Sequence, residues 1–283
     1  MMADLPADHV RTLLAVVDAG TFDAAAAALH VTPSAVSQRV KALEQRTGRV
    51  LLMRTKPVQL TESGQVVVRF ARQLAQLERD ARAELGMTTP GEPARLSIAV
   101  NADSLATWFL PALTQVPGVC FELHREDEGH TTQLLREGLV MAAVTSTPDP
   151  VQGCSVRSLG SLRYLACASP RLGFTTFADS PVVVFDRHDQ LQDRFAGGAS
   201  AFRHQMPSST AYLDAVVAGL GWGLIPVAHA RAGFAAGTLV NLAPTRHMDV
   251  PLFWQQWKLD SPALAAAATA ILATAAATLI QAD

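Results

Sequence analysis

Thr21-Phe22-Asp23-Ala24-Ala25-Ala26-Ala27-Ala28-Leu29-His30-Val31-Thr32-Pro33-Ser34-Ala35-Val36-Ser37-Gln38-Arg39-Val40-Lys41-Ala42-Leu43-Glu44 is the stretch on which the fold turns. Thr21 is suited to cap a short helix, Phe22–Leu29, because its hydroxyl can accept from an N–H that the first helical turn leaves unpaired. After the turn His30-Val31-Thr32, a second threonine caps a second helix. Pro33 stands at its first position, where a missing N–H does no harm, and the helix runs to Gly48. Two helices joined by so short a turn form a helix-turn-helix. In the second, Val36, Val40 and Leu43 recur at helical spacing and face inward. Ser34, Ser37, Gln38 and Lys41 therefore face outward, together with the capping Thr32. Their short hydrogen-bonding and cationic side chains suit the base edges and phosphates of double-stranded DNA.

The flanks extend this reading. Upstream, Val10, Leu13, Leu14 and Val17 mark a first helix from Pro6 to Ala19, which Gly20 ends. Downstream, Val50–Arg54 and Val58–Leu60 flank Thr55-Lys56-Pro57, a two-stranded wing that carries Arg54 and Lys56 to its tip. Thr61 then caps a helix from Glu62 to about Gly86. Within it Val67, Phe70, Leu74, Leu77 and Ala81 alternate spacings of three and four, a coiled-coil seam that predicts a homodimer through Phe70, Leu74 and Leu77. Between Arg39 and Arg72 eight basic side chains stand against Glu44 and Glu62, a local charge of +6 in a chain whose net charge is −2. That contrast points to a polyanion partner for this segment.

The 283 residues carry 49% hydrophobic and 17% charged side chains, enough to bury cores and too apolar for a disordered chain. The three cysteines, Cys120, Cys154 and Cys167, form no C-x-x-C pair, which fits a reducing cytoplasm and no metal site. No basic segment followed by an apolar one opens the sequence, so no secretory leader is expected. From Ser261 to Ala282 no residue is charged, but the stretch is alanine-rich with threonines interspersed, and a packed helix is the reading, not a membrane span. Nucleophile-elbow, zincin and phosphate-loop motifs are absent, which argues against an enzyme. Gly219, Gly221 and Gly223 lack dinucleotide-binding spacing.

Residues 87–95 hold two prolines and a glycine without periodicity, a hinge after the DNA-binding domain (1–61) and linker helix (62–86). Beyond it strands and helices alternate: Leu96–Val100, a helix from Asp103 to Gln115, Cys120–Arg125, a helix at Thr131–Arg136 and Val140–Thr145. The alternation resumes from Leu162. It predicts two α/β lobes with a largely parallel sheet, lobe I from about 96–160 plus 258–283 and lobe II from about 161–257, with a ligand cleft between them.

The N-terminal motif, with Arg54 and Leu60-Thr61-Glu62-Ser63-Gly64, resembles the LysR-type transcriptional regulators. Asn101–Trp108, Val183-Val184-Phe185-Asp186 and Gly219–Pro226 resemble the subfamily that regulates lysine and arginine export, the LysG/ArgP-like members. The resemblance implies an α+β multidomain protein: a winged helix-turn-helix, a dimerising linker helix and a two-lobed, periplasmic-binding-protein-like effector domain. It also implies a cytoplasmic homodimer or homotetramer, with RNA polymerase as a further partner and no membrane association. No cofactor is expected. The effector would be lysine, arginine or histidine, and the target an amino-acid exporter gene. An architectural DNA-binding protein, or a replication-initiation inhibitor needing no effector, is the alternative. Where many members carry Gly-x-Leu-Asp, this chain has Gly138-Leu139-Val140-Met141, so a generic effector pocket does not transfer whole.

A basic amino acid brings a carboxylate and cationic groups, so its site needs donors and anions. Ser104, with Thr145 or Ser146, is the expected seat of the α-carboxylate, and Asp103 or Asp186 the answer to a cationic group. All stand near strand ends, where ligands of α/β lobes gather.

Overall fold

The computed structural model describes residues 4–87, 93–126, 131–198 and 200–281. The N-terminal head comprises α1 (Ala7–Ala19), α2 (Phe22–Ala28), α3 (Pro33–Thr47) and a wing of β1 (Leu52–Met53) and β2 (Gln59–Leu60). The threonine hydroxyls of residues 21 and 32 accept from the N–H groups of Ala24 and Ala35, three residues on in each case. Gly20 and Gly48 end α1 and α3 in the left-handed region that suits glycine. The wing strands are antiparallel, with Leu52 opposite Leu60, and shorter than the sequence pattern suggests. Val10, Leu13, Val16, Val36, Val40, Leu43 and Leu51 make the buried core of the head.

Helix α4 (Glu62–Glu84) follows, with the Thr61 hydroxyl accepting from Gly64 N–H. Its first turns belong to the head: Val67, Val68 and Ala71 are buried in the same core. The expected seam is therefore corrected at its start. Val67 faces inward, and Val66, 53% exposed, continues the uncovered line of Phe70 and Leu77 at 41% and 43%. Leu74 is half-buried.

Of the expected hinge, residues 88–92 lie outside the described residues, and strand β3 (Ala94–Val100) already begins at Ala94. The helical rod after it is α5 (Ala102–Ser104), a π-helical turn (Leu105–Phe109) and α6 (Leu110–Leu113). Then come β4 (Val119–Arg125), α7 (Thr131–Glu137), β5 (Ala142–Thr145), β6 (Cys154–Ala168), β7 (Val182–Val184), α8 (Leu191–Ala196), β8 (Arg203–Gln205), α9 (Ser209–Ala218), β9 (Gly223–Pro226), α10 (Val227–Ala235), β10 (Val240–Asn241), β11 (Met248–Trp257) and α11 (Pro262–Thr278).

Only part of the sheet is parallel, which corrects the expectation. Strands β4, β3 and β5 run parallel, but β11 pairs antiparallel with both β5 and β6, and β9 and β10 pair antiparallel with β6. Strand β6 is a single 15-residue element where the sequence reading had only its second half. It and β11 cross together from lobe I to lobe II, their register shifting between Leu252 and Phe253. Helix α11 returns to pack on α6, β3 and β6, burying Leu264, Ala267 and Ile271. Among the described residues no helix is long and apolar enough to cross a membrane.

Candidate functional site

Two surfaces carry the candidate chemistry. On the head, α3 buries Val36, Val40 and Leu43 and leaves Thr32, Ser34, Gln38 and Lys41 exposed, with Ser37 half-buried beside them. Arg54 and Lys56 are exposed on the wing. The Arg54 guanidinium lies 5.2 Å from the centroid of the Phe22 ring, a cation–π contact that ties the wing to the start of α2. Not every cation of the basic segment is turned outward. Arg39 reaches the Thr12 hydroxyl, and Arg72 donates to Asp18 and to the Glu137 carbonyl.

The second surface is a cavity of about 470 Å³ between the lobes. Asp103, Ser146 and Asp186 line it, as do Asn101, Glu126 and Asp189. Ser104 and Thr145 do not, and the expectation for them is corrected. Ser104 is fully buried, its hydroxyl without a hydrogen-bond partner among the described residues, and Thr145 is 1% exposed and donates to the Thr147 carbonyl. Strand alternation explains the second case, since neighbours at the end of a strand point to opposite faces, Thr145 into the protein and Ser146 to the cavity.

Asp103 sits in the first turn after β3. Its Oδ2 accepts from the Tyr164 hydroxyl at 2.9 Å, and its Oδ1 from the Ser209 hydroxyl at 3.1 Å. Burial pushes its carboxyl above the ordinary value, while the two hydroxyls and His229 pull it back. No lysine or arginine forms an ion pair with it among the described residues. Asp186 Oδ1 accepts from the backbone N–H groups of His188 and Asp189, so this carboxylate also shapes its own turn. Asp189 Oδ2 accepts from Phe185 N–H.

Tyr164, Ser209, Glu126 and His229 line the cavity and were missed in the sequence. Tyr212, also lining it, is fixed by Gln192 Nε2 and Leu224 N–H, and burial raises its hydroxyl far above the usual phenol. Trp222 is packed against Phe177 in the core, 1% exposed.

A helix-turn-helix head joined to a two-lobed cleft defines a DNA-binding regulator with a ligand-sensing half. The chain belongs to the LysR family: residues 7–65 match the bacterial regulatory helix-turn-helix protein, lysR family, and residues 90–276 match the LysR substrate binding domain. Its relatives are transcriptional regulators and not enzymes.

Within the family it is of the LysG/ArgP type. It is 42% identical over 280 residues to the lysine export transcriptional regulatory protein LysG of Corynebacterium glutamicum, covering 93% of this chain and 96% of that one. The full-length structure of that LysG with bound effector Arg superposes with a TM-score of 0.85 at 40% identity, over 97% of this chain and 99% of the other. ArgP from Mycobacterium tuberculosis superposes with a TM-score of 0.91 at 42% identity, over 97% and 98%.

Proposed function

We propose that this protein is a cytoplasmic transcriptional regulator that binds double-stranded DNA as a homodimer or homotetramer and senses a basic amino acid in the cleft between its lobes. Control of an amino-acid exporter gene follows from the LysG likeness. The observation that carries the effector reading is Asp103, a carboxylate in the cleft that accepts from two hydroxyls and has no lysine or arginine partner among the described residues. An unpaired anion there is destabilised by desolvation, and a ligand cation relieves it. Glu126, Asp186 and Asp189 on the same cavity add negative potential. Ser146 and the backbone after β5 remain the candidate seat of the α-carboxylate.

DNA contacts are assigned to Thr32, Ser34, Ser37, Gln38 and Lys41 on α3 and to Arg54 and Lys56 on the wing. The uncovered apolar line through Phe70 and Leu77, with half-buried Leu74 beside it, supports dimerisation along α4. Calorimetric titration with arginine, lysine, histidine and the neutral analogue citrulline tests the effector. Binding of the basic amino acids with citrulline much weaker is the expected result. Equal binding of citrulline overturns the reading that the cleft selects a cation, and binding of none overturns the effector reading and favours an architectural DNA-binding protein.

A further inference from the structure

Gly138-Leu139-Val140-Met141, the segment that departs from the common family pattern, is not part of the effector cavity. Its Gly138, Leu139 and Met141 line, on the lobe I side, a second, smaller cavity of about 310 Å³ shared with Leu14 and Asp18 of α1, Arg72 and Ala75 of α4, and Trp257. Head, linker helix and effector half meet here around a gap, so the few direct bonds across it set their relative position.

One side chain makes contacts to both sides. Arg72 Nη2 donates to Asp18 Oδ1 of the head at 2.8 Å, and Arg72 Nη1 donates to the Glu137 carbonyl at 2.7 Å. Glu137 is the last residue of α7, where helical carbonyls lack partners within the helix and carry the negative end of its dipole. A guanidinium from another domain thus caps this end. Its planar fork lets one group hold two acceptors, which the single ammonium of lysine cannot reproduce in the same geometry. The backbone beside it is equally fitted. Gly138 has a φ of +70°, and a Cβ there would lie 2.9 Å from Arg69 Cα on α4. Only glycine allows both the left-handed turn and this approach of the two helices.

We propose that Arg72 is a positioning residue for DNA binding: by joining Asp18 to the end of α7 it fixes the angle of the head on lobe I, so that movement of the lobes on effector binding reaches α3. A ligand regulates only by favouring one arrangement over another, and this joint makes the arrangements distinct. The regulatory half of this inference rests on the effector reading above; the mechanical half does not.

The test uses full-length wild type, Arg72→Lys and Asp18→Asn with three readouts. Arginine affinity is measured by calorimetry. DNA affinity is measured with and without saturating arginine, on a duplex selected by the wild type from a randomised pool. Hydrogen exchange is followed at the amides of Gly20, Gly138 and Leu139. Arginine affinity is expected within about twofold of wild type, because neither residue touches the cleft. The arginine-induced change in DNA affinity is expected to fall to less than a third of the wild-type change, while exchange rises together at the end of α1 and the end of α7. A variant that keeps the full arginine response overturns the coupling. Should the wild type bind no basic amino acid, the effector reading fails, and exchange still decides the joint: unchanged protection at α7 in both variants overturns it.

Discussion

Asp103→Asn removes one charge from the cleft and keeps its shape. The carboxamide oxygen can still accept from Tyr164, and its NH2 can donate to the Ser209 oxygen, so both present contacts have a neutral replacement. What is lost is the attraction to a cationic ligand in a part-buried site. Truncating one partner of a buried charge pair costs about 2–4 kcal/mol, which is a loss of roughly 30- to 700-fold in arginine affinity. Without ligand the same substitution has the opposite sign. The Asp103 carboxyl titrates above its ordinary 3.8 in the fold, so the folded state holds this proton to higher pH than the unfolded chain, and its contribution to stability declines as pH rises through that interval. Asparagine removes this decline. The ligand-free variant is expected to melt above wild type at pH 7, with the difference closing as pH falls toward 3.8. Calorimetry with arginine and thermal melts from pH 4 to 8 measure both. A variant that binds arginine like the wild type, or that melts lower at pH 7, refutes the electrostatic reasoning.

Gln38→Ala is expected to relax preference at one base pair by roughly 1–3 kcal/mol, measured by competition among single-base operator variants. Lys56→Ala should weaken all sequences alike, and the slope of log affinity against log salt should shrink by about 0.9 if one phosphate contact is lost. Leu77→Glu, on the uncovered line of α4, should shift the sedimenting species toward monomer and weaken DNA binding through lost avidity; an unchanged assembly would remove the argument for this face. Gly64→Ala places a Cβ 2.0 Å from the Leu51 carbonyl, so α4 or the wing must move. A loss of about 1–3 kcal/mol of stability in denaturant titration is expected.

Much of the head was legible because its determinants are local. The caps at Thr21, Thr32 and Thr61 bind N–H groups three residues away, and the inward face of α3 follows from helical spacing alone. The cleft was legible as a location and only partly in its residues. Asp103 depends on Tyr164 and Ser209, 61 and 106 positions along the chain, and no local pattern points to either. Choosing Ser104 over its neighbours failed on helix phase, since α5 begins at Ala102 and turns Ser104 into the protein. Strand β6 was halved because Arg157-Ser158-Leu159-Gly160-Ser161 breaks alternation. Its continuity is imposed by β11, whose sequence lies far downstream.

The position of β11 also orders events during synthesis. Lobe I is begun by β3, β4 and β5, yet the strand that separates β5 from β6 is made only after most of lobe II, and α11 after that. The head can fold as it leaves the ribosome. Lobe I, in contrast, must wait roughly a hundred residues of translation, from β5 to β11, with one edge of β5 unpaired. At typical elongation of about 5–20 residues per second that wait lasts on the order of 5–20 seconds, long enough for an exposed edge to meet another chain. Stalled or truncated products ending before Met248 should therefore aggregate, although they contain a complete DNA-binding head.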